Sequence, residues 1–186
     1  GDHYNTLHTR GTEMSDAVKK HGGWNLLIKP HDHPKKAVDW FTELARHESD
    51  RVRVVRDRDV VPYLRAADLL VTDASSVAVE YTLLDRPIVF LDAPSLMKKI
   101  EKRAPALDLD TYGRKIGSVV PIGADIAAAI ADGLKNPGRE GALRRQMAAH
   151  VFHEPGKAAE RITHVVRYAA GLCDALPGDV DVVRPS

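Results

Sequence analysis

Hydroxyl and carboxylate side chains cluster in residues 68–92, DLLVTDASSVAVEYTLLDRPIVFLD, in an order that suits phosphate binding. The apolar runs 69–72 and 88–91 predict buried strands, and the segment between them predicts a polar turn followed by a helix. The turn and the helix hold four candidate residues: Asp73, Ser75, Ser76 and Glu80. Where a parallel strand ends and a helix begins, hydroxyls and unpaired backbone N–H groups form an anion site. The pattern therefore predicts a phosphate-binding turn.

Helix capping is the alternative interpretation of this turn, with Asp73 as the N-cap. A capping box would place a Glu three residues after the cap, whereas Glu80 follows Ser76 by four residues and Asp73 by seven. Ser76 and Glu80 instead share one face of the predicted helix. A carboxylate one turn beyond a phosphate-binding helix start is well placed to accept from the vicinal hydroxyls of a sugar. We favour a ligand site over capping alone.

A second candidate segment is residues 29–34, KPHDHP, which follows the predicted strand 25–28. It leaves the carboxyl end of that strand, the edge of an open parallel sheet at which ligands bind. Lys29 begins the segment, and His31 could act as a general acid or donate to a diphosphate. His31 and His33 have the spacing of some metal ligands, but no further ligands cluster nearby in the sequence, so no metal site is expected. A simple polar loop is the alternative to phosphate contact.

The third candidate segment is residues 152–157, FHEPGK, which precede the predicted final helix. Gly156 permits a tight turn there. Lys157 then lies near the helix start, where a cation is unfavourable unless an anion is close. A phosphate contact and a plain loop are equally good interpretations.

Strands alternate with helices along the chain. After a turn-like start at 1–11, we predict a helix over 12–21 with Thr12 as its N-cap. The other predicted helices cover 35–48, 59–67, 95–103, 124–135, 139–150 and 157–172, and the other predicted strands cover 52–55 and 119–121. The alternation predicts an α/β domain with a mainly parallel sheet. We expect one domain over 1–173, followed by a disordered tail over 174–186.

Composition excludes several classes of protein. The 27 Lys and Arg residues balance 26 Asp and Glu residues, so nucleic acid is not an expected partner. The single cysteine, Cys173, excludes an intrachain disulfide and a cysteine-rich zinc site. No run approaches the ~18 apolar residues of a membrane span, and no signal peptide is recognisable. The chain does not begin with Met, which suggests a fragment or a processed chain.

Three segments together resemble a known family: LLIKPHDHP, AADLLVTDASSVAVEYTLLDRPIVFLD and HEPGKAAERI. In this order and spacing they are similar to the C-terminal half of the CDP-glycerol glycerophosphotransferases, the teichoic-acid polymerases and primases of bacterial cell walls. The resemblance runs from about residue 1 to about residue 168 and is strongest in 68–91. It implies a GT-B arrangement, in which this chain is the C-terminal, Rossmann-like three-layer domain that binds the nucleotide donor. The opening GDHYNTLHTRG resembles the loop after the first strand, so that strand is expected upstream.

The resemblance also implies roles for individual residues. It assigns these donor-binding residues: Lys29, Asp73, Ser75, Ser76, Glu80, Gly156 and Lys157. Asp73 and the two serines would surround the donor diphosphate, and Glu80 would approach the ribose. His31, the expected catalytic residue, would bind phosphate or assist departure of the leaving group. Ala74 departs from the family, which more often has an aromatic residue there. No metal and no cofactor are implied.

The implied reaction moves glycerol phosphate, or a related polyol phosphate, from a CDP-activated donor to a polymer or lipid-linked acceptor. The acceptor would bind through an N-terminal domain, and the whole protein would lie in the cytoplasm or at the inner face of the cell membrane. One alternative is a UDP-sugar glycosyltransferase or UDP-N-acetylglucosamine 2-epimerase-like domain, which often has glycines where this turn has serines. Another alternative is a non-catalytic nucleotide-binding module.

Overall fold

The computed structural model describes residues 6–30, 39–103 and 114–173. Its internal contacts divide the chain into two compact units, Gly1–Ala148 and Ala149–Ser186. The bounds expected from the sequence, one domain over 1–173 and a tail over 174–186, stay a prediction, and the tail lies outside the described residues.

Strands and helices alternate through the first unit. The strands are β1 (Leu26–Ile28), β2 (Val52–Val54), β3 (Leu70–Thr72), β4 (Ile88–Leu91) and β5 (Ser118–Val120). The helices are α1 (Thr6–His21), α2 (Trp40–Ala45), α3 (Val61–Ala66), α4 (Ser76–Tyr81), α5 (Pro94–Arg103) and α6 (Ile126–Lys135). A 3-10 turn, Thr82–Leu84, continues α4. Two further helices are α7 (Gly141–Val151), which contains the division between the units, and α8 (Ala158–Ala169), which lies in the second.

The strands form two parallel sheets, with orders β1-β2 and β3-β4-β5. In the larger sheet β3 pairs with β4 from Leu70 opposite Ile88 to Thr72 opposite Phe90. Parallel neighbours need a crossover connection, and α4 and α5 lie in the two connections of this sheet. The α/β fold class and the mainly parallel pairing predicted from the sequence are confirmed, in a Rossmann-like domain.

β4 is buried along its whole length, because both faces of the larger sheet are covered. Val89 and Leu91 belong to an apolar cluster that includes residues of α1 and α6. Ile88 and Phe90 alternate with them and belong to a cluster that includes residues of α3 and α4. Helices on both faces of the sheet make the three layers expected from the sequence.

Helix α1 begins at Thr6, so the prediction of a turn-like start with Thr12 as N-cap was wrong. The cause is a buried side chain, Arg10, which lies within the first turns of α1 and is 5% exposed. Its guanidinium donates to three backbone carbonyls: those of Val120 at 3.4 Å, Pro121 at 3.2 Å and Ala124 at 2.8 Å. These contacts outweigh the cost of about 1 kcal/mol that Gly11 imposes inside a helix.

Candidate functional site

The turn between β3 and α4 is capped by a serine. Ser75 is the N-cap of α4, with φ −135° and ψ 141°, and its Oγ accepts from the backbone N–H of Val77 at 3.4 Å. A capping role at this turn is therefore real, although the cap is Ser75 and not Asp73, which the sequence suggested. The extended backbone of Ser75 turns the chain from strand to helix directly beyond the carboxyl end of β3.

Ser76 and Glu80 are exposed on α4, whereas Ala78 and Tyr81 are buried on its inner face. The Tyr81 hydroxyl donates to the carbonyl of Ala67 at 2.7 Å, which fixes the inner face in place. Neither the Ser76 hydroxyl nor the Glu80 carboxylate forms a hydrogen bond or ion pair with any residue that the structure describes. Both groups are therefore available to a ligand, on one face as the spacing predicts.

The half-buried Asp73 connects the turn to α1. Its Oδ2 accepts from the backbone N–H of Thr6 at 3.4 Å and from the Thr6 hydroxyl at 3.3 Å. Thr6 is the first residue of α1, so the carboxylate lies at the positive end of that helix. Asp73 therefore has a structural role, because its carboxylate joins the turn to the start of α1.

Lys29 lies directly after β1 and is half-buried. Its Nζ donates to the carbonyl of Pro30 at 3.3 Å. β1 and β3 belong to different sheets, and no hydrogen bond joins Lys29 to the serine turn within the described ranges. His31, the predicted catalytic residue, and His33 lie outside the described residues.

Gly156 and Lys157 lie in the second unit, just before α8. Gly156 has φ +93°, the left-handed conformation that glycine adopts without strain, so the tight turn is confirmed. The Lys157 Nζ lies 3.2 Å from Glu154 Oε1, and Arg161 lies 3.2 Å from the other oxygen of Glu154. The hydrogen bond from Lys157, followed by that from Arg161, holds the pKa of Glu154 below its usual value. Because Glu154 balances Lys157, the position of Lys157 does not by itself require an anionic ligand.

Asp92 and Arg114 form an ion pair that the sequence reasoning missed. Asp92 follows β4 just as Asp73 follows the neighbouring strand β3, so both lie at the same edge of the sheet. The Asp92 Oδ1 lies 3.0 Å from Arg114 Nη2, and the Arg114 side chain is 14% exposed. A carboxylate directly after a buried strand was the available signal, and it stood at the end of the segment already singled out.

The carboxyl edge of the larger sheet therefore offers a free hydroxyl, a free carboxylate and a half-buried guanidinium that is paired with Asp92. Such groups suit a ligand that carries both phosphate and sugar hydroxyls. In the described ranges 6–30, 39–103 and 114–173, no group of three or more His, Cys, Asp or Glu residues could hold a metal ion. Over the same ranges, no helix has the length and apolar character needed to cross a membrane.

Comparison with known proteins extends these observations. A family model described as CDP-Glycerol:Poly(glycerophosphate) glycerophosphotransferase matches residues 10–168. The teichoic acid glycerol-phosphate primase of Bacillus subtilis (strain 168) is 34% identical over 65 residues. That alignment covers 35% of this chain and 16% of the primase, so the chain matches less than a fifth of that relative's length. The family match begins in the second turn of α1 and extends through most of α8, and it includes the turn that bears Ser75 and Ser76.

Proposed function

The chain belongs to the CDP-glycerol:poly(glycerophosphate) glycerophosphotransferase family, and we propose that it is the nucleotide-donor-binding part of a transferase in teichoic acid synthesis. The donor is a CDP-activated glycerol phosphate or a related polyol phosphate, and the acceptor is a cell-wall polymer or a lipid-linked molecule. One observation supports this proposal: the Ser76 hydroxyl and the Glu80 carboxylate lie on the same face of α4, directly beyond β3, and neither has a partner among the described residues.

In the proposed complex the donor diphosphate lies against the turn before α4. The Ser76 hydroxyl donates to a phosphate oxygen, and Lys29 adds positive charge from the loop after β1. Glu80, one helical turn further on, accepts from the ribose hydroxyls. Ser75 and Asp73 border the diphosphate and shape the turn, since Ser75 already caps α4 and Asp73 already holds Thr6.

The proposed chemistry is a direct displacement at phosphorus. A hydroxyl oxygen of the acceptor bonds to the phosphorus that carries the polyol, while the bond from that phosphorus to the oxygen of CMP breaks. CMP leaves with the electron pair, and the acceptor proton passes to a base outside the described residues. His31 binds phosphate or assists the leaving group. Catalysis in this scheme comes from positioning and from neutralising the charge on the diphosphate.

The remaining features of the proposal are taken from the resemblance alone. Gly156 and Lys157 are proposed as further donor contacts from the loop before α8. A GT-B partner domain is proposed to bind the acceptor, and the whole protein is proposed to work in the cytoplasm or at the inner face of the cell membrane.

Calorimetric titration tests the donor site. The chain is titrated with CDP-glycerol, CDP and UDP-N-acetylglucosamine, and the titrations are repeated with Ser76→Ala and Glu80→Ala. We expect cytidine-selective binding that each substitution weakens about tenfold, the equivalent of one lost hydrogen bond of ~1.4 kcal/mol. Glu101→Ala, which removes an exposed carboxylate from the last turn of α5, is the matched control and should leave the affinity unchanged.

Each other outcome contradicts a different part of the proposal. A preference for the uridine ligand would favour a glycosyltransferase or epimerase-like domain. Equal affinity in the wild type, Ser76→Ala and Glu80→Ala would remove the donor site from this face of α4. Cytidine binding without polyol phosphate transfer by the natural full-length protein would favour a non-catalytic nucleotide-binding module.

A further inference from the structure

The Arg114 guanidinium lies at the carboxyl edge of the larger sheet, although Arg114 precedes β5 in the chain. Its Nη2 atom is 3.0 Å from Oδ1 of Asp92, the residue that follows β4. The backbone N–H of Asp92 donates to the carbonyl of Val120 at 3.0 Å, so Asp92 continues the pairing of β4 with β5. The guanidinium is therefore anchored to a fixed point of the sheet, at the edge where ligands bind in open parallel sheets.

The chain around Arg114 packs beside α4. Ile116, two residues further on, is 1% exposed and belongs to the apolar cluster that includes Ala78 of α4. Strand β3, which leads into the turn before α4, pairs with β4, and neighbouring strands lie ~4.8 Å apart. A guanidinium in contact with Asp92 therefore lies one strand away from the turn that bears Ser76.

The ion pair between Asp92 and Arg114 is a poor source of stability by itself. The Arg114 side chain is 14% exposed and the Asp92 side chain is 27% exposed, so both charges have lost most of their water. The attraction between two such charges is largely offset by the cost of removing them from water. The pair does fix the orientation of the guanidinium, whose planar fork of N–H donors can contact a carboxylate along one edge and a phosphate along another.

We propose that Arg114 binds a phosphate of the nucleotide donor and that Asp92 positions Arg114 for this contact. The inference rests on the proposed function, in which Ser76 and Glu80 of α4 bind the diphosphate and the ribose. Because the chain around Arg114 also packs beside α4, the phosphate that Arg114 contacts is the one next to the ribose, which stays on CMP. Arg114 would thus neutralise charge on the leaving group, to which the Ser76 hydroxyl offers only a neutral donor.

The carboxylate of Asp92 does not prevent this contact. In the proposed complex the guanidinium lies between Asp92 and the phosphate, so the phosphate is closer to the positive charge than to the negative one. The energy between two charges falls with their separation, and the attraction to Arg114 therefore exceeds the repulsion from Asp92.

Calorimetric titration of the 186-residue chain with CMP and with cytidine tests the role of Arg114. Arg114→Gln should weaken CMP binding about 30-fold, as expected for a hydrogen bond to a charged group, and should leave cytidine binding unchanged. Arg114→Lys keeps the charge without the planar fork and should recover part of the loss. Lys115→Gln, which removes an exposed positive charge from the adjacent residue, is the matched control and should leave both affinities unchanged.

Two substitutions of Asp92 test whether it positions the guanidinium. Asp92→Asn and Asp92→Ala both remove the negative charge, but only Asn keeps an oxygen that accepts from Arg114. Asp92→Ala should therefore bind CMP about tenfold more weakly than Asp92→Asn, while the two variants bind cytidine equally. Equal CMP affinity in these two variants would contradict the positioning role, and this comparison decides the matter if Arg114→Gln does not fold.

The outcomes separate this inference from the proposed function. An equal loss of CMP and cytidine binding in Arg114→Gln would show that Arg114 is only structural. CMP binding that Ser76→Ala weakens and Arg114→Gln does not would also overturn the inference, and would leave the proposed donor site intact. A wild-type chain that binds neither CMP nor cytidine would overturn both.

Discussion

The Oδ2 atom of Asp73 accepts hydrogen bonds from the backbone nitrogen of Thr6 at 3.4 Å and from the Thr6 hydroxyl at 3.3 Å. This contact spans 67 residues of sequence and joins the turn after β3 to the first residue of α1. One carboxylate therefore stabilises both the start of a long helix and the turn that bears Ser75 and Ser76.

We expect Asp73→Ala to lower the free energy of unfolding by about 1 kcal/mol, the usual cost of losing a side-chain cap at a helix start. Asp73→Asn should cost less, because its amide oxygen still accepts from Thr6. Urea denaturation followed by circular dichroism measures both values. The exposed Asp50 supplies the control, Asp50→Ala. Equal losses for Asp50→Ala and Asp73→Ala would contradict the capping role.

Substitutions at Ser75 and Ser76 should have different effects, the first on stability and the second on ligand binding. Ser75→Ala removes the cap of α4 and should destabilise the chain by about 1 kcal/mol, whereas Ser75→Asp should keep a capping oxygen. Ser76→Ala removes an exposed hydroxyl with no partner among the described residues and should change stability by less than about 0.5 kcal/mol. Denaturation and titration with CDP-glycerol, run on the same samples, measure both effects. A large loss of stability in Ser76→Ala would contradict this division.

Two neighbouring arginines contact Asp85, and we expect them to contribute unequally to the free energy of unfolding. Arg144 is 0% exposed, and its Nε donates to Asp85 Oδ1 at 3.0 Å, while its Nη2 donates to the carbonyls of Asp85 and Pro137. Arg145 is 65% exposed and lies 2.6 Å from Asp85 Oδ2. Arg144→Ala leaves buried acceptors unpaired and should cost about 3 kcal/mol. Arg145→Ala should cost less than about 1 kcal/mol. Urea denaturation measures both, and the reverse order would refute the assignment.

The same carboxylate should give stability a dependence on pH. Partial burial opposes the ionisation of Asp85, but hydrogen bonds from Arg145 and Arg144 outweigh it and hold the pKa of Asp85 below its usual value. A lowered pKa in the folded state stabilises the protein above the unfolded-state value of about 3.9, and the contribution is lost as the pH falls through the folded-state pKa.

Asp85→Asn isolates this contribution, because Asn also tolerates the left-handed backbone at φ 48°. The difference in unfolding free energy between wild type and Asp85→Asn should be constant from about pH 7 to pH 5 and should shrink below about pH 4. Denaturant titrations over this range measure it. Asp50→Asn, at an exposed position, is the control for the change of side chain and should alter the unfolding free energy by less than about 0.5 kcal/mol. If the difference in unfolding free energy between wild type and Asp85→Asn grew towards low pH, the lowered pKa of Asp85 would be contradicted.

Most of the fold was predictable because the signals are local. The run at 88–91 is apolar throughout and bounded by Pro87 and Asp92, and the strand found there is Ile88–Leu91. The first turn of α1 was not predictable, because the carbonyls that accept from Arg10 lie at the end of β5 and just beyond it, more than a hundred residues away. No periodicity within residues 1–11 carries that information.

The sequence by itself determined that Ser76 and Glu80 share a face of α4, because helical spacing depends only on position along one segment. The tertiary structure alone decided the partners of the other polar groups. In the folded chain Asp73 accepts a hydrogen bond from Thr6, and Asp92 forms an ion pair with Arg114. Hydrogen bonds and ion pairs act over about 3 to 4 Å, so they depend on how distant segments pack, and the order of residues does not specify those distances.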